Sequence, residues 1–451
     1  MNGKCLVGVF LCVWVGTTLA QDVSLTVYNQ NRALVREVRT LSMEKGTTTV
    51  SFTDVAARID PTSVHFKSLT APDQLSILEQ NYEYDLVNAQ KIMEKYIDED
   101  IRLVTDKGEV FGGTLLSASG SDIVLQDKEG GIQIVRGENV QHFDFPRLPE
   151  GLITRPTLIW MVKNGRSGEH ETELSYLTEG INWHAEYVAV VDRDDRHVDL
   201  SGWVSLENHS GAVYKDAKLK LVAGDVHIVE PRRRIEQMRL RKGQEDLLMA
   251  APEFEERAFF EYHLYTLQRR TTLKNNQTKQ ISLFPPAKTQ TRKIFLYDGA
   301  RYDTKVRVHM EFKNAKQDGL GLPLPKGKMR VYKEDVDGAL EFVGEDLIDH
   351  TPVDEKVRVF LGNAFDLVGE RVQESSKKIS SRSQEDAYRI SLRNHKEEDV
   401  DIVVVEHFYG DWEIVQRSHP FVKKDARTAE FTIRVPAKGE VTLDYSVILR
   451  Y

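Results

Sequence analysis

Apolar residues recur at every second position through most of this chain, and no other feature limits its fold as much. In VSLTVYNQNRALVREVRTL (residues 23–41) the alternation runs up to Asn29-Gln30-Asn31-Arg32 and resumes beyond it. Successive strand side chains point to opposite faces, so this reads as a hairpin with one buried face. The same rhythm returns in TRPTLIWMVKN, EHETELSYL, NWHAEYVAVVD, VDLSGWVSLEN and AKLKLVAGDVHIV, and after residue 259 in TKVRVHMEF, KMRVYKED, VDIVVVEHF and GEVTLDYSVILRY. Asp337-Gly338 between two such runs is a hairpin turn. One stretch departs from the period: in DLVNAQKIMEKYI, Leu86, Ala89, Met93 and Tyr96 fall three or four apart, which predicts a short helix. The expectation is a mainly β, multidomain β-sandwich protein.

Turn residues and charge divide the chain. Residues 1–20 read as a signal peptide, with Lys4 before an apolar run from Cys5 to Val15 and Thr18-Leu19-Ala20 at the cleavage site. Residues 21–95 form an N-terminal β region with the short helix. Residues 96–147 hold five short strands joined by Asp-Lys-Gly, Ser-Gly-Ser and Lys-Glu-Gly-Gly turns, the pattern of an inserted small Sm-like or SH3-like barrel. A β-sandwich follows over 148–229, then a charged surface loop over 230–258 opening with Pro231-Arg232-Arg233-Arg234, then a C-terminal β-sandwich over 259–451.

This division excludes several kinds of chemistry. Cys5 and Cys12 are the only cysteines and lie within the leader, so the exported chain is cysteine-free, without disulfides or thiolate ligands. Loss of Lys4 with the leader leaves 60 basic residues against 70 acidic, the reverse of a nucleic-acid footprint. The leader's apolar run is too short to span a bilayer, and the mature chain holds no transmembrane segment. Lysines and arginines on the polar faces of many strands suit water rather than the lipid face of an outer-membrane barrel. The expected location is therefore periplasmic, envelope-associated or secreted.

No catalytic motif stands out. Gly-x-Ser-x-Gly, His-Glu-x-x-His and Gly-rich phosphate loops are absent, and Ser119-Gly120-Ser121 sits in a turn. The thirteen histidines are dispersed, and His309 and His407 stand singly in strands, where an edge or surface role is the default. Two His–carboxylate pairs share a strand face at i, i+2 spacing: His184 with Glu186, and Asp225 with His227. Two ligands fall short of a metal site, so neither metal nor cofactor is expected. The acids Glu345, Asp346, Asp349, Asp354 and Glu355 occupy one stretch read as a solvated connection, where Asp349-His350 is the remaining candidate pair. LTEGINWHAEY (177–187) looks like a catalytic nest, but after a turn at Gly180-Ile181-Asn182 alternation parts its members. Trp183 and Tyr187 go to the core, while His184 and Glu186 point the other way.

Several stretches carry a family resemblance: SYLTEGINWHAEYVAVV, LSGWVSLENHSGAVYKDAKLKLVAGDV, GLGLPLPKGKMRVYKED and GEDLIDHTPVDEKVRVFLGNAFDLVGER. With the N-terminal hairpin and the closing strands, these resemble the uncharacterised family called domain of unknown function 4139, which includes mucoidy-inhibitor-A-like proteins. The resemblance implies a multidomain β-sandwich and no particular reaction. Where many relatives carry a coiled-coil insertion, this chain carries the five-strand segment. The expected function is a non-enzymatic exported binding or cell-envelope assembly module, with an unknown envelope protein or polysaccharide as partner and no nucleic acid. The alternative is an enzyme acting on envelope glycans or peptides through carboxylates placed only by the fold.

Overall fold

The computed structural model describes residues 22–118, 121–149, 152–224, 254–259 and 262–451. The expected leader and residues 230–253 of the charged loop lie outside them. Strands dominate, and the protein is a mainly β, multidomain β-sandwich. The first hairpin pairs Asp22–Tyr28 with Arg32–Met43, Leu25 facing Val35. Asn31 closes its turn at φ 55°, a conformation Asn tolerates better than most residues.

The hairpin's other neighbours come from far along the chain. Asp22–Tyr28 runs parallel to Tyr214–Ala223, and Arg32–Met43 pairs with Gly168–Glu179. Tyr262–Leu267, Phe254–Phe259 and Thr271–Leu273 extend one side and His65–Ser68 the other, giving an eight-stranded sheet. A three-stranded sheet of Gly46–Thr53, Thr157–Asn164 and Leu75–Glu83 shares its core. There Phe66 stacks on Trp160 at 4.4 Å between ring centroids, and Phe52 meets the same indole edge-on at 5.8 Å. Glu37 and Arg39 form a buried ion pair on the inner face, with the guanidinium 4.1 Å over Phe52.

The chain passes from the eight-stranded sheet into the largest one through a single residue, Gly180, at φ +85°. A Cβ there would sit 2.8 Å from the His209 carbonyl oxygen, so only glycine fits. The turn is tighter than the sequence implied, because Ile181 and Asn182 already pair with Asn208 and Glu207. The large sheet has thirteen strands. Its path runs Leu340–Ile348, Gly327–Glu334, Ile181–Val191, His197–Asn208, Gln277–Tyr297, Lys305–Lys313, Lys356–Ser380, Ser383–Asn394, Glu440–Arg450 and Asp411–Arg417. Val400–His407 branches from Gln277–Tyr297 and carries Thr428–Val435, which pairs in turn with Val422–Lys423. The first half packs on the eight-stranded sheet, where the Trp183 indole donates to the Val222 carbonyl at 3.2 Å. The second half encloses its own core around Tyr297, Leu392, Ile402, Phe431 and Leu443.

The segment expected to be a small barrel forms a five-stranded antiparallel sheet with a separate core of Leu103, Leu115 and Leu125. Its ladders follow an open path from Val140–Asp144 through Asp100–Thr105, Val110–Ser117 and Asp122–Gln126 to Ile132–Arg136. The predicted helix spans Ala89–Lys95, capped by the Asn88 side chain, which accepts the Lys91 N–H at 2.9 Å. Gly338, at φ +86°, turns the chain between Gly327–Glu334 and Leu340–Ile348.

Candidate functional site

Ile181–Val191 lies inside the large sheet, antiparallel to His197–Asn208 and parallel to Gly327–Glu334. Trp183, Ala185, Tyr187, Ala189 and Val191 are buried, while His184, Glu186, Val188 and Val190 are half-buried on the other face. The Tyr187 hydroxyl donates to the Pro325 carbonyl at 2.7 Å. Both aromatics are core anchors whose polar atoms are already satisfied.

The outer pair belongs to a row of charges crossing several strands. His184 Nε2 lies 3.6 Å from Glu186 Oε1, beyond hydrogen-bond reach but within ion-pair range. Arg330 approaches Glu186 at 3.5 Å and Glu345 at 3.4 Å, and Lys328 also reaches Glu345 at 3.4 Å. From the opposite side Gln280 Nε2 donates to Glu186 Oε2 and Ser205 Oγ, each at 3.2 Å. Trp203 stands directly across from Glu186. The His184 imidazole, and after it Arg330, hold the Glu186 carboxyl at about 2 against the opposing effect of burial. A carboxyl that acidic stays ionised, which suits ion pairing and not general-acid catalysis near neutral pH.

The other sequence candidates are not drawn into this row. His350 Nδ1 accepts the Lys326 N–H at 3.2 Å, and the Asp349 carbonyl accepts the Thr351 hydroxyl at 2.8 Å, so both serve the chain reversal after Leu340–Ile348. Asp225 and His227 lie outside the described residues. The reading of Glu345 and Asp346 as a solvated connection is corrected, since both belong to the strand Leu340–Ile348. Asp346 Oδ2 accepts the Phe360 N–H at 2.8 Å and ties that strand to Lys356–Ser380. Among the described residues no three His, Cys, Asp or Glu side chains converge as a metal site.

Other polar clusters had no sequence signal. Ser68 Oγ lies 3.0 Å from His170 Nδ1, and His170 Nε2 lies 3.0 Å from the Arg166 carbonyl oxygen. This is the spacing of a nucleophile and its base, but both residues are within 1% of full burial. Ser68 Oγ also accepts the Ala71 N–H at 3.0 Å, so the pair fastens a strand end. Glu406, buried in the second core, accepts Arg371 and the Tyr445 hydroxyl. Glu311 lies between Arg292 and Arg358. His309, expected at an edge or surface, is 7% exposed beside Phe360, and burial lowers its pKa to about 4 with help from Arg307 and Arg358. The cross-strand partners lie 19 to 102 positions apart, so no local motif announces them.

A recess of about 580 Å³ in the five-stranded unit is lined by Asp100, Gly112, Gly113, Asp127 and Glu129 among others. Two of its acids are engaged by their own chain. Asp127 Oδ1 accepts the N–H groups of Glu129 and Gly131, and Asp100 Oδ1 accepts the Thr114 hydroxyl.

No protein-family model matches this chain, and no curated protein matches it. Among the described residues no helix is long and apolar enough to cross a membrane.

Proposed function

We propose that the chain is an exported, non-enzymatic binding or assembly module of the cell envelope, akin to the domain-of-unknown-function 4139 proteins. The observation that carries this reading is the outer face of the large sheet. There Arg330 bridges Glu186 and Glu345, Gln280 donates to Glu186, and Trp203, a half-buried aromatic, stands across from Glu186 on the next strand. Rigid polar groups beside an aromatic surface suit recognition by contact, because little side-chain freedom is lost when a ligand lands. The apolar run Cys5–Val15 supports export.

Affinity purification of the tagged full chain from its own envelope fraction, with a glycan array in parallel, tests the proposal. Stoichiometric retention of one envelope protein or glycan, weakened in Trp203→Ala, is the expected result. No retention on either platform would overturn it. Release of cleaved products from envelope glycans or peptides would install the enzyme reading instead.

A further inference from the structure

We infer that a second region of the large sheet, centred on Glu311, binds an acidic polysaccharide. This inference rests on the binding reading above and names a ligand class for it.

Arg292, Glu311 and Arg358 stand opposite one another on three neighbouring strands. Glu311 Oε1 accepts Arg292 Nε and Nη2 at 3.0 and 2.6 Å, and Oε2 accepts Arg358 Nε and Nη2 at 3.0 and 2.7 Å. The carboxylate side chain is 5% exposed, whereas the arginines are 64% and 38% exposed. Each arginine spends Nε and Nη2 on Glu311, and its Nη1 has no recorded bond to the described residues. A buried strut thus holds two guanidiniums in place, with donors to spare.

Two register positions away, on the same face, Lys313 stands opposite Lys356 across the ladder. Like charges in that position destabilise a sheet. Lys356 Nζ is 3.6 Å from Glu311 Oε1, a carboxylate oxygen already taken by Arg292, and Lys313 forms no ion pair among the described residues. Three cations therefore meet one carboxylate, with Lys313 across from one of them, in a chain whose net charge is −9. Such a surplus on one rigid face calls for an external anion.

Geometry selects the anion. Arg292 and Arg358 bring their guanidiniums together on the two oxygens of one carboxylate, with the lysine rung about 7 Å along the strands. A linear chain bearing carboxylates can cross such a grid and meet several cations at once. Single-stranded nucleic acid would want open aromatic platforms. Phe360, two residues along the strand from Arg358, is covered by Arg307 at 3.8 Å, which also lies 4.3 Å from the Tyr302 ring. A bilayer surface would want an apolar wedge beside the charge, and the residues on this patch are Arg292, Glu311, Lys313, Lys356 and Arg358.

The probe is polygalacturonate, titrated into the purified full chain by calorimetry, with neutral dextran, a charge-matched oligonucleotide and phosphatidylglycerol vesicles in parallel. The expected result is selective binding of polygalacturonate, weakening steeply between about 50 and 200 mM salt. Lys313→Gln with Lys356→Gln should weaken it about tenfold or more while leaving the melting temperature equal or higher, since a repulsion is removed. Unchanged affinity in that folded double variant, equal binding of dextran, or preference for the oligonucleotide or vesicles would each overturn the assignment. Should the double variant bind polygalacturonate as the wild type does while Trp203→Ala loses the envelope component, this assignment is wrong and the binding role stands. Should the wild-type chain retrieve nothing, the binding role itself fails.

Discussion

Removing Glu406 should cost more than removing Glu406 and Arg371 together. The Glu406 side chain is 1% exposed and takes Arg371 Nε at 3.0 Å and Nη2 at 2.9 Å, together with the Tyr445 hydroxyl. Arg371 lies 3.9 Å over the Tyr388 ring and is 21% exposed. Glu406→Ala leaves a guanidinium and a phenol without their acceptor inside the second core. Stranding one member of a buried pair costs about 3–5 kcal/mol. Because Arg371 retains a path to water, the lower end, about 3 kcal/mol, is expected. Arg371→Met with Glu406→Met replaces the pair by flexible apolar side chains and should lie within about 1–2 kcal/mol of the wild type. Hydrogen exchange read on peptides covering Val400–His407 and Glu440–Arg450 reports local opening and keeps the effect apart from the rest of this multidomain chain. A double variant as damaged as the sum of its single variants would refute the reasoning, because the two side chains would then act independently.

Glu186 titrates at about 2 in the folded protein, below its unfolded value, so its contribution is present above about pH 4.5 and is lost as the pH falls towards 2. Discounted for partial solvent screening the effect is about 1–2 kcal/mol, and the stability gap between wild type and Glu186→Gln in urea should close between pH 6 and pH 2.5. A gap that widens on acidification would contradict the ion-pair assignment. Ser68→Ala should cost about 1–3 kcal/mol by orphaning the Ala71 N–H and His170 Nδ1, and the wild-type serine should resist fluorophosphonate labelling; rapid labelling would show that it is accessible and activated. Gly327→Ala would bring a Cβ to 2.1 Å from the Ala185 carbonyl oxygen, so the variant should lose soluble expression or the slow exchange of Ile181–Val191, and wild-type behaviour would falsify the parallel pairing there.

The local architecture was legible because alternation acts residue by residue. It announced the first hairpin, and it placed Trp183 and Tyr187 in the core with His184 and Glu186 opposite, as the burial of Ile181–Val191 bears out. The short helix was visible in its three- and four-residue spacing. Alternation is silent about which strands become neighbours. Nothing near Ser24 names Lys218, and nothing near Ala185 names Gly327, yet these residues pair in parallel ladders. Glu345 and Asp346 were misread for a related reason: an acid-rich stretch resembles a loop until a cross-strand arginine and a backbone N–H are supplied from elsewhere.

The same missing information decides what a charged strand position does. His184 with Glu186, and His309 with Glu311, are both His–Glu pairs at i, i+2 on one face of a strand. At Glu186 the neighbouring strands bring one arginine and a glutamine, and Glu345 takes up the arginine's far side, so charge is balanced along the row. At Glu311 an arginine arrives from each side and a lysine pair follows, so positive charge accumulates. The first arrangement stiffens a surface and the second leaves one charged. Cross-strand neighbours, which local sequence does not disclose, convert one short pattern into two different physical devices. The two faces should accordingly fail separately: Trp203→Ala should leave the salt dependence of polyanion binding intact, whereas the Lys313, Lys356 double variant should flatten it. Equal loss of both properties in either variant would mean that the faces form a single site.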